Sequence, residues 1–465
     1  MRGGRCGAGL LALMAGLGLA ANAGAMSLEE AFATAYETNP RLLDARASLR
    51  ATDEQVTQAR AGLRPQVSAN IDYGASFTDN DLDTDTDDPL NLGVSATQPI
   101  YDGGQTQNNV RASIATVSAT RAQLQAIEQQ VLFDVVTAYL DIQRDEEFVR
   151  LAENNVRVIR EQLRASQDRF EVGEVTRTDV SQAQARLAEA QARLATAQGA
   201  LANSRQDFRE VVGAEPLNLA PPGPLPPVPP SLEEAITIAL ENHPLVLVER
   251  FQEQAAEYNI RSQIGGLLPR VDLEGTVNYG EEALFGDGES LAGDTTSAAA
   301  RVRVTVPLYQ GGAQYSRVRQ AQARASQERA QITTQVRDRR QLVEQAWTQL
   351  LVSRAQIRAV REQVEAQRLA FEGVREEAIV GSRTTLDVLD AEQELLDART
   401  DLVAAIRDEY QAAYGLRAAI GDLTMAELDI ATVPYDPNEN YDLNNARFFG
   451  FEENEDTVWE KLWRP

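Results

Sequence analysis

Val380-Gly381-Ser382-Arg383-Thr384-Thr385-Leu386-Asp387-Val388-Leu389-Asp390 breaks one long helical pattern and starts another at once. A Gly among small and β-branched neighbours ends the first pattern. Asp387 and Asp390 then fall in the opening turn of the second, so the stretch reads as the tip of an antiparallel helical hairpin. The i, i+3 spacing puts both carboxylates on one face, where a helix N-terminus tolerates negative charge, and Arg383 stands beside them as a candidate partner. A capped helix start with solvated acids would have the same local sequence, so the reading depends on the rest of the chain.

Working outward, the chain is written twice. Ser27-Leu28-Glu29-Glu30-Ala31 returns 204 residues later as Ser231-Leu232-Glu233-Glu234-Ala235, and Asn39-Pro40 returns as His243-Pro244. Leu63-Arg64-Pro65 matches Leu267-Leu268-Pro269 at that offset. Beyond a loop of different length the offset becomes 208. There Gln98-Pro99-Ile100-Tyr101-Asp102-Gly103-Gly104 matches Val306-Pro307-Leu308-Tyr309-Gln310-Gly311-Gly312, and Val172-Gly173 with Thr178-Asp179-Val180 matches Val380-Gly381 with Leu386-Asp387-Val388. Register held over so many landmarks indicates duplication.

Each copy opens with a Ser-x-x-Glu capping box and a helical stretch expected to reach Gly62 or Gly266. Strict alternation follows: Val67, Ala69, Ile71, Tyr73, Ala75 and Phe77, then Leu90, Leu92, Val94 and Ala96, are apolar between polar or small neighbours. Val271, Leu273, Val277 and Tyr279, then Ala300, Val302, Val304 and Val306, do the same in the second copy. A half-buried soluble sheet has this pattern, but the segments also have the length of membrane-spanning strands. The Gly-Gly pairs then release helices expected over Gln105 to Glu171 and Ala313 to Val380, each on the order of 100 Å long. Val135, Ile142, Val149, Val156, Leu163 and Phe170 recur by sevens, as do Val343, Leu350, Ile357, Val364 and Phe371, which marks coiled-coil seams. Between Val131 and Val135 the register slips by four, a stutter that straightens a supercoil. Return helices are expected near Asp179 to Val212 and Asp387 to Ile420. The first has Ala183, Ala190 and Ala197 between its larger seam residues.

Residues 1–25 read as a secretory signal, with Arg2 and Arg5 before an apolar run and Ala23-Gly24-Ala25 as the cleavage region. Cleavage would remove Cys6, the only cysteine. The expected organisation is then a first repeat over 26–220, a Pro-rich extended connector over 221–230, a second repeat over 231–421, and an acidic, partly disordered tail over 422–465. Phe448, Phe449, Phe451, Trp459 and Trp463 give that tail apolar side chains for docking on a helix surface.

A formal charge of -26 excludes a basic face for nucleic acid. No stretch of the expected mature chain has the length of a transmembrane helix, so a membrane crossing has to be made by a closed β-barrel. Four amphipathic strands cannot close one, and copies must pool them. Asp79, Asp81, Asp83, Asp85, Asp87 and Asp88 in the first strand loop lack the Gly and Glu of a calcium loop. His243, the only His, sits before a Pro where the first copy has Asn39, which suits a capping role. No catalytic, phosphate-binding or cofactor-binding constellation is recognisable.

The doubled plan, the Leu-x-Pro approach to each strand pair, the Gln-Pro-Ile-Tyr-Asp-Gly-Gly exit and the two tips resemble the TolC family of outer-membrane efflux and secretion ducts, over about Ser27 to Asp422. The resemblance implies a mainly α chain that trimerises into a twelve-stranded outer-membrane barrel continued by a periplasmic tunnel of twelve helices. It implies no cofactor, and as partners two further copies, outer-membrane lipid, a periplasmic adaptor and an inner-membrane pump or ABC transporter. Asp387 and Asp390 match the paired aspartates at the periplasmic entrance, a ring able to hold a cation, whose crowding should raise some carboxyl pKa values. Arg383 matches a latch arginine, Thr178 and Asp179 its partners on the neighbouring tip, and Val172, Gly173, Val380 and Gly381 positions associated with the adaptor. Ala378 stands where some members have a latch Tyr. A periplasmic coiled-coil adaptor or scaffold would share the hairpins but not two strand pairs in register.

Overall fold

The computed structural model describes residues 25–74, 76–80, 83–87, 90–216, 218–281, 295–428, 430, 432, 434–445 and 447. The signal segment, the second strand loop (282–294) and the aromatic end of the tail lie outside them.

Each repeat opens with two helices where the sequence suggested one. α1 (Leu28–Thr38) and α2 (Pro40–Ala61) break at Asn39, and α5 (Leu232–Asn242) and α6 (Pro244–Gly265) break at His243. The cause is the following proline, which disfavours helical ψ in the residue before it. Asn39 and His243 accordingly adopt ψ of 123° and 126°. Both then cap the next helix: Arg41 N–H donates to Asn39 Oδ1 at 2.9 Å and Leu245 N–H to His243 Nδ1 at 3.1 Å. The capping role expected of His243 is therefore what the structure has.

The strands are β1 (Gln66–Tyr73), β2 (Ser76–Asn80), β3 (Asp83–Asp87), β4 (Leu90–Tyr101), β5 (Arg270–Glu281) and β6 (Thr295–Thr305). Here the expectation of an acidic loop after one long strand is corrected. β1 ends at Tyr73, and β2 and β3 form their own antiparallel ribbon, Ser76 opposite Asp87 and Asn80 opposite Asp83. Thr and Phe favour strands and Asp and Asn do not, so the cross-strand pairing is what makes this ribbon. The other four strands form one antiparallel sheet in the order β1-β4-β5-β6.

Register sorts that sheet into two faces. Ile71 lies opposite Leu92 and Leu92 opposite Tyr279, while Ala69, Val94, Val277 and Ala298 form the next row. On the other face Asn70, Gly93, Asn278 and Ser297 share a row, and Glu274 faces Arg301, which donates to it at 2.6 Å. The apolar face is bare: Val67 is 69% exposed and Ile71 73%. β1 and β6 also leave their outer edges unpaired among the described residues, a state that a single chain in water would not keep.

α3 (Gln105–Glu171) and α7 (Ala313–Ile379) leave the sheet from Gly104 and Gly312, both left-handed, and α4 (Arg177–Val212) and α8 (Thr385–Ile420) return. Each long helix has 67 residues, about 100 Å of rise. Beside the sheet the packing order across the protomer is α2, α3, α6, α7; towards the tips it is α4, α3, α8, α7. One long helix is therefore flanked by two partners and the other ends the row. The main core lies midway along, where Phe32, Leu132, Tyr139 and Phe208 are buried. Tyr139 Oη lies 2.6 Å from the Ala220 carbonyl oxygen and 3.0 Å from that of Met26, and its single proton, shared between them, ties α3 to the chain start and the segment before the connector. Of the first seam, Val135, Ile142 and Val156 are buried, but Phe170 is 44% exposed near the tip.

The connector is packed. Leu225 and Val228 lie against the core of α5, α7 and α8, and Tyr410 Oη donates to Gly223 O at 2.8 Å. The described part of the tail is likewise attached. Leu423 and Met425 are buried, Arg46 lies between the Tyr36 and Tyr435 rings, and α9 (Glu439–Asn444) runs along α2. Phe448, Phe449, Phe451, Trp459 and Trp463 lie outside the described residues. Among those residues, no helix is long and apolar enough to cross a membrane.

Candidate functional site: two helical tips and an open sheet

The two tips are built alike. α3 ends at Glu171, Gly173 takes φ +80°, and Thr176 caps α4. α7 ends at Ile379, Gly381 takes φ +81°, and Thr384 caps α8. Only glycine enters that region without strain, so the Val-Gly pair fixes the reversal. Val172 and Val380 project at the extreme ends, 72% and 79% exposed.

Asp179 and Asp387 do the same local work. Thr384 N–H and Oγ1 donate to Asp387 Oδ2, both at 2.9 Å, and Asp387 N–H returns to Thr384 Oγ1 at 3.2 Å. Thr176 and Asp179 form the matching box, with both donations at 2.8 Å. The backbone N–H of Thr384, followed by its hydroxyl, holds the Asp387 carboxyl below the usual carboxylate range; Thr176 does so for Asp179. Within one protomer this is opposite in sign to the rise expected from crowding in a ring.

Asp390 has no counterpart acid, since Gln182 occupies its place in the first tip. Its Oδ1 accepts from Arg186 Nη2 at 2.7 Å. Arg383 donates through Nε to Glu377 Oε2 at 2.8 Å, across the turn, and that carboxylate raises the guanidinium pKa. Among the described residues it pairs with neither Thr178 nor Asp179 of its own chain, so the two expected latch partners are not brought to it within the protomer. Thr178 lies exposed on the first turn of α4.

Sequence reasoning missed Glu377 and Arg186. The signal for Arg186 was present: Arg186 and Arg193 are seven apart on one return helix, Asp390 and Asp397 seven apart on the other, and matched charges at heptad spacing flank a seam. No group of three or more His, Cys, Asp or Glu able to hold a metal occurs among the described residues.

An open amphipathic sheet with a bare apolar face, continued by paired helices of about 100 Å, defines a class: a protomer of an outer-membrane channel with a long helical extension. The chain belongs to the outer membrane efflux protein family, whose profile matches residues 32–214 and 235–422, one span in each repeat. It is 34% identical over 427 residues to the outer membrane efflux protein BepC of Brucella suis, covering 91% of each chain. It is 30% identical over 419 residues to the outer membrane protein TolC of Vibrio cholerae, covering 88% of this chain and 93% of that one. The fold superposes on the Campylobacter jejuni CmeC outer membrane channel with a TM-score of 0.76 at 16% identity, over 90% of this chain and 89% of that one. These findings place the protein in the outer membrane as an efflux channel, in a family of channels and not of enzymes, and they set aside the periplasmic adaptor.

Proposed function

We propose that three copies of this chain form a passive exit duct, closed at the helical tips at rest and opened when a periplasmic adaptor and an inner-membrane pump or ABC transporter engage it. The observation that carries this reading is the bare apolar sheet face together with the free edges of β1 and β6. Four strands cannot enclose an interior, whereas three sets of four close a barrel of twelve, with the apolar rows toward outer-membrane lipid and the Asn-Ser-Thr face toward the lumen. The helical row needs the same closure, since α7 ends it with Tyr315, Leu351 and Val352 half-exposed or more.

In this assembly Asp387 and Asp390 from each copy line the narrow periplasmic end and favour cations. Arg383 reaches Thr178 and Asp179 of the adjoining copy when the duct is shut. Val172, Gly173, Val380 and Gly381, at the exposed ends of the turns, receive the adaptor. The duct uses no cofactor and performs no catalysis, and the pump selects the cargo.

Single-channel conductance in planar bilayers tests this directly. Small cation-selective openings are expected from the wild type. Arg383→Ala should enlarge them, and Asp387→Ala/Asp390→Ala should reduce cation selectivity. A verified membrane-inserted oligomer with no conductance would overturn the duct. Conductance indifferent to both variants would move the gate elsewhere.

A further inference from the structure

The gate reading leaves a pair of arginines unused. Arg186 Nη2 on α4 donates to Asp390 on α8 at 2.7 Å, and one heptad further Arg193 Nη1 donates to Asp397 at 3.3 Å. Glu189 lies between the arginines and accepts from both, from Arg186 at 3.2 Å and from Arg193 at 2.9 Å. Gln393 Nε2 completes the second rung by donating to Asp397 at 2.7 Å. The return helices run parallel, so equal heptad spacing on each keeps the rungs level, about 10.5 Å apart. Beneath them Ala183 and Ala190 of α4 and Leu389 of α8 are buried in one cluster with Val156 and Ile159 of α3, the helix between them.

We propose that Arg186 is the intraprotomer counter-charge of Asp390, so that the α4–α8 ladder sets how much of the acidic charge at the duct entrance is available to ions. This rests on the gate reading given above. Asp390 belongs to the acidic pair, yet one of its carboxylate oxygens is held by a guanidinium of the same chain. Asp387 is hydrogen-bonded only by backbone and hydroxyl donors of its own cap, and the Arg383 guanidinium, itself bonded to Glu377, acts on it through charge alone. The two carboxylates are therefore unequal: Asp390 is in a direct ion pair, and Asp387 is not. Arg186 and Asp390 are 35% and 50% exposed at the side chain, so water screens the pair and its effect on stability is small. Its effect on permeating ions should be larger, because three copies converge on one axis.

The test is reversal-potential and conductance measurement on the full-length protein in planar bilayers of defined lipid in potassium chloride. Arg186→Ala, by freeing Asp390, should raise the cation-to-anion permeability ratio about two- to fivefold, the size expected of one exposed ion pair. Arg186→Lys should stay near wild type. Asp390→Ala should lower the ratio, and Arg186→Ala/Asp390→Ala should match Asp390→Ala alone. Melting temperature and oligomer mobility, unchanged across the set, would separate these effects from misfolding. If Asp390→Ala alters selectivity and Arg186→Ala does not, the counter-charge role is overturned while the acidic gate stands. If neither changes it, both readings fall.

Discussion

The two long helices have the same length and start from the same left-handed glycine, but they end in different surroundings. α3 buries 21 of its 67 residues and α7 only 8, because α3 lies inside the row and α7 at its end. Homologous positions show where they part. Val135 and Val343, and Ile142 and Leu350, are buried in both, so each hairpin holds itself along its own seam. Tyr139, however, is buried where its counterpart Trp347 is only partly so, and Leu132 is buried where the second copy has exposed Arg340. Duplication thus preserved the inner seam, while place in the row decided the second face. The difference fits the proposed assembly, in which an adjoining copy covers the second face of α7.

The largest expected effect breaks this comparison most directly. Tyr139→Ala removes a fully buried ring whose hydroxyl bonds backbone carbonyls and should cost about 3–5 kcal/mol. Trp347→Ala should cost about 1 kcal/mol in a dissociated chain, since partly exposed side chains lose less. Thermal unfolding in detergent reads both; a loss at Trp347 as large as at Tyr139 in the oligomer would show that assembly covers α7.

The sheet offers the next contrast. Val277→Arg on the apolar face should cost about 2–4 kcal/mol if it meets lipid at mid-bilayer, whereas Thr276→Arg on the polar face should be tolerated. Heat-modified gel mobility of outer-membrane fractions distinguishes them, and equal tolerance would contradict a lipid-facing apolar row.

His243 and Asn39 occupy equivalent breaks, but only His243 titrates. Burial, reinforced by Arg339, pulls its pKa down to about 4. The folded state thus prefers neutral imidazole. Its contribution is fully present above pH of about 6.5, where the unfolded chain is also neutral, and is lost as pH falls toward about 4, by about 3 kcal/mol in all. His243→Asn, which installs the residue of the first copy, should flatten that part of the stability profile in denaturant melts taken between those limits.

The smallest contrast concerns the caps of the return helices. Gly421 has φ +86°, and a Cβ there would lie 2.8 Å from His243 Cα, a backbone atom. Gly213 has φ +79°, but its Cβ would meet the Thr38 hydroxyl, which can turn away. Gly421→Ala should therefore cost about 1–3 kcal/mol and Gly213→Ala about 1 kcal/mol. Equal costs would mean that the positive φ, and not the contact with His243, dominates.

Much of the fold was legible because its signals are local and repeated. Heptads marked α3 and α7, alternation marked the strands, and Gly-Gly and Val-Gly marked the reversals. The break at Asn39-Pro40 was present as a proline but was subordinated to the longer helical pattern. The β2–β3 ribbon was hidden because Asp and Asn suggest a loop, and only cross-strand pairing made them strands. At the tip, capping geometry made Asp179 and Asp387 readable. Arg383–Glu377 was not read because it needs the distance across a turn, and the matched heptad spacing behind Arg186–Asp390, though present in the sequence, becomes a contact only through the distance between helices.

The sequence by itself determined the duplicated plan, the lengths of the long and return helices, the reversals between them and the acidic second tip, since each rests on periodicity or on a single residue's backbone preference. The tertiary structure alone decided that α3 lies inside the row and α7 at its end, that the connector and the described part of the tail pack against the helices, and which cation pairs with Asp390. Those outcomes depend on which surfaces touch, and contact between elements hundreds of residues apart is set by packing and not by local pattern.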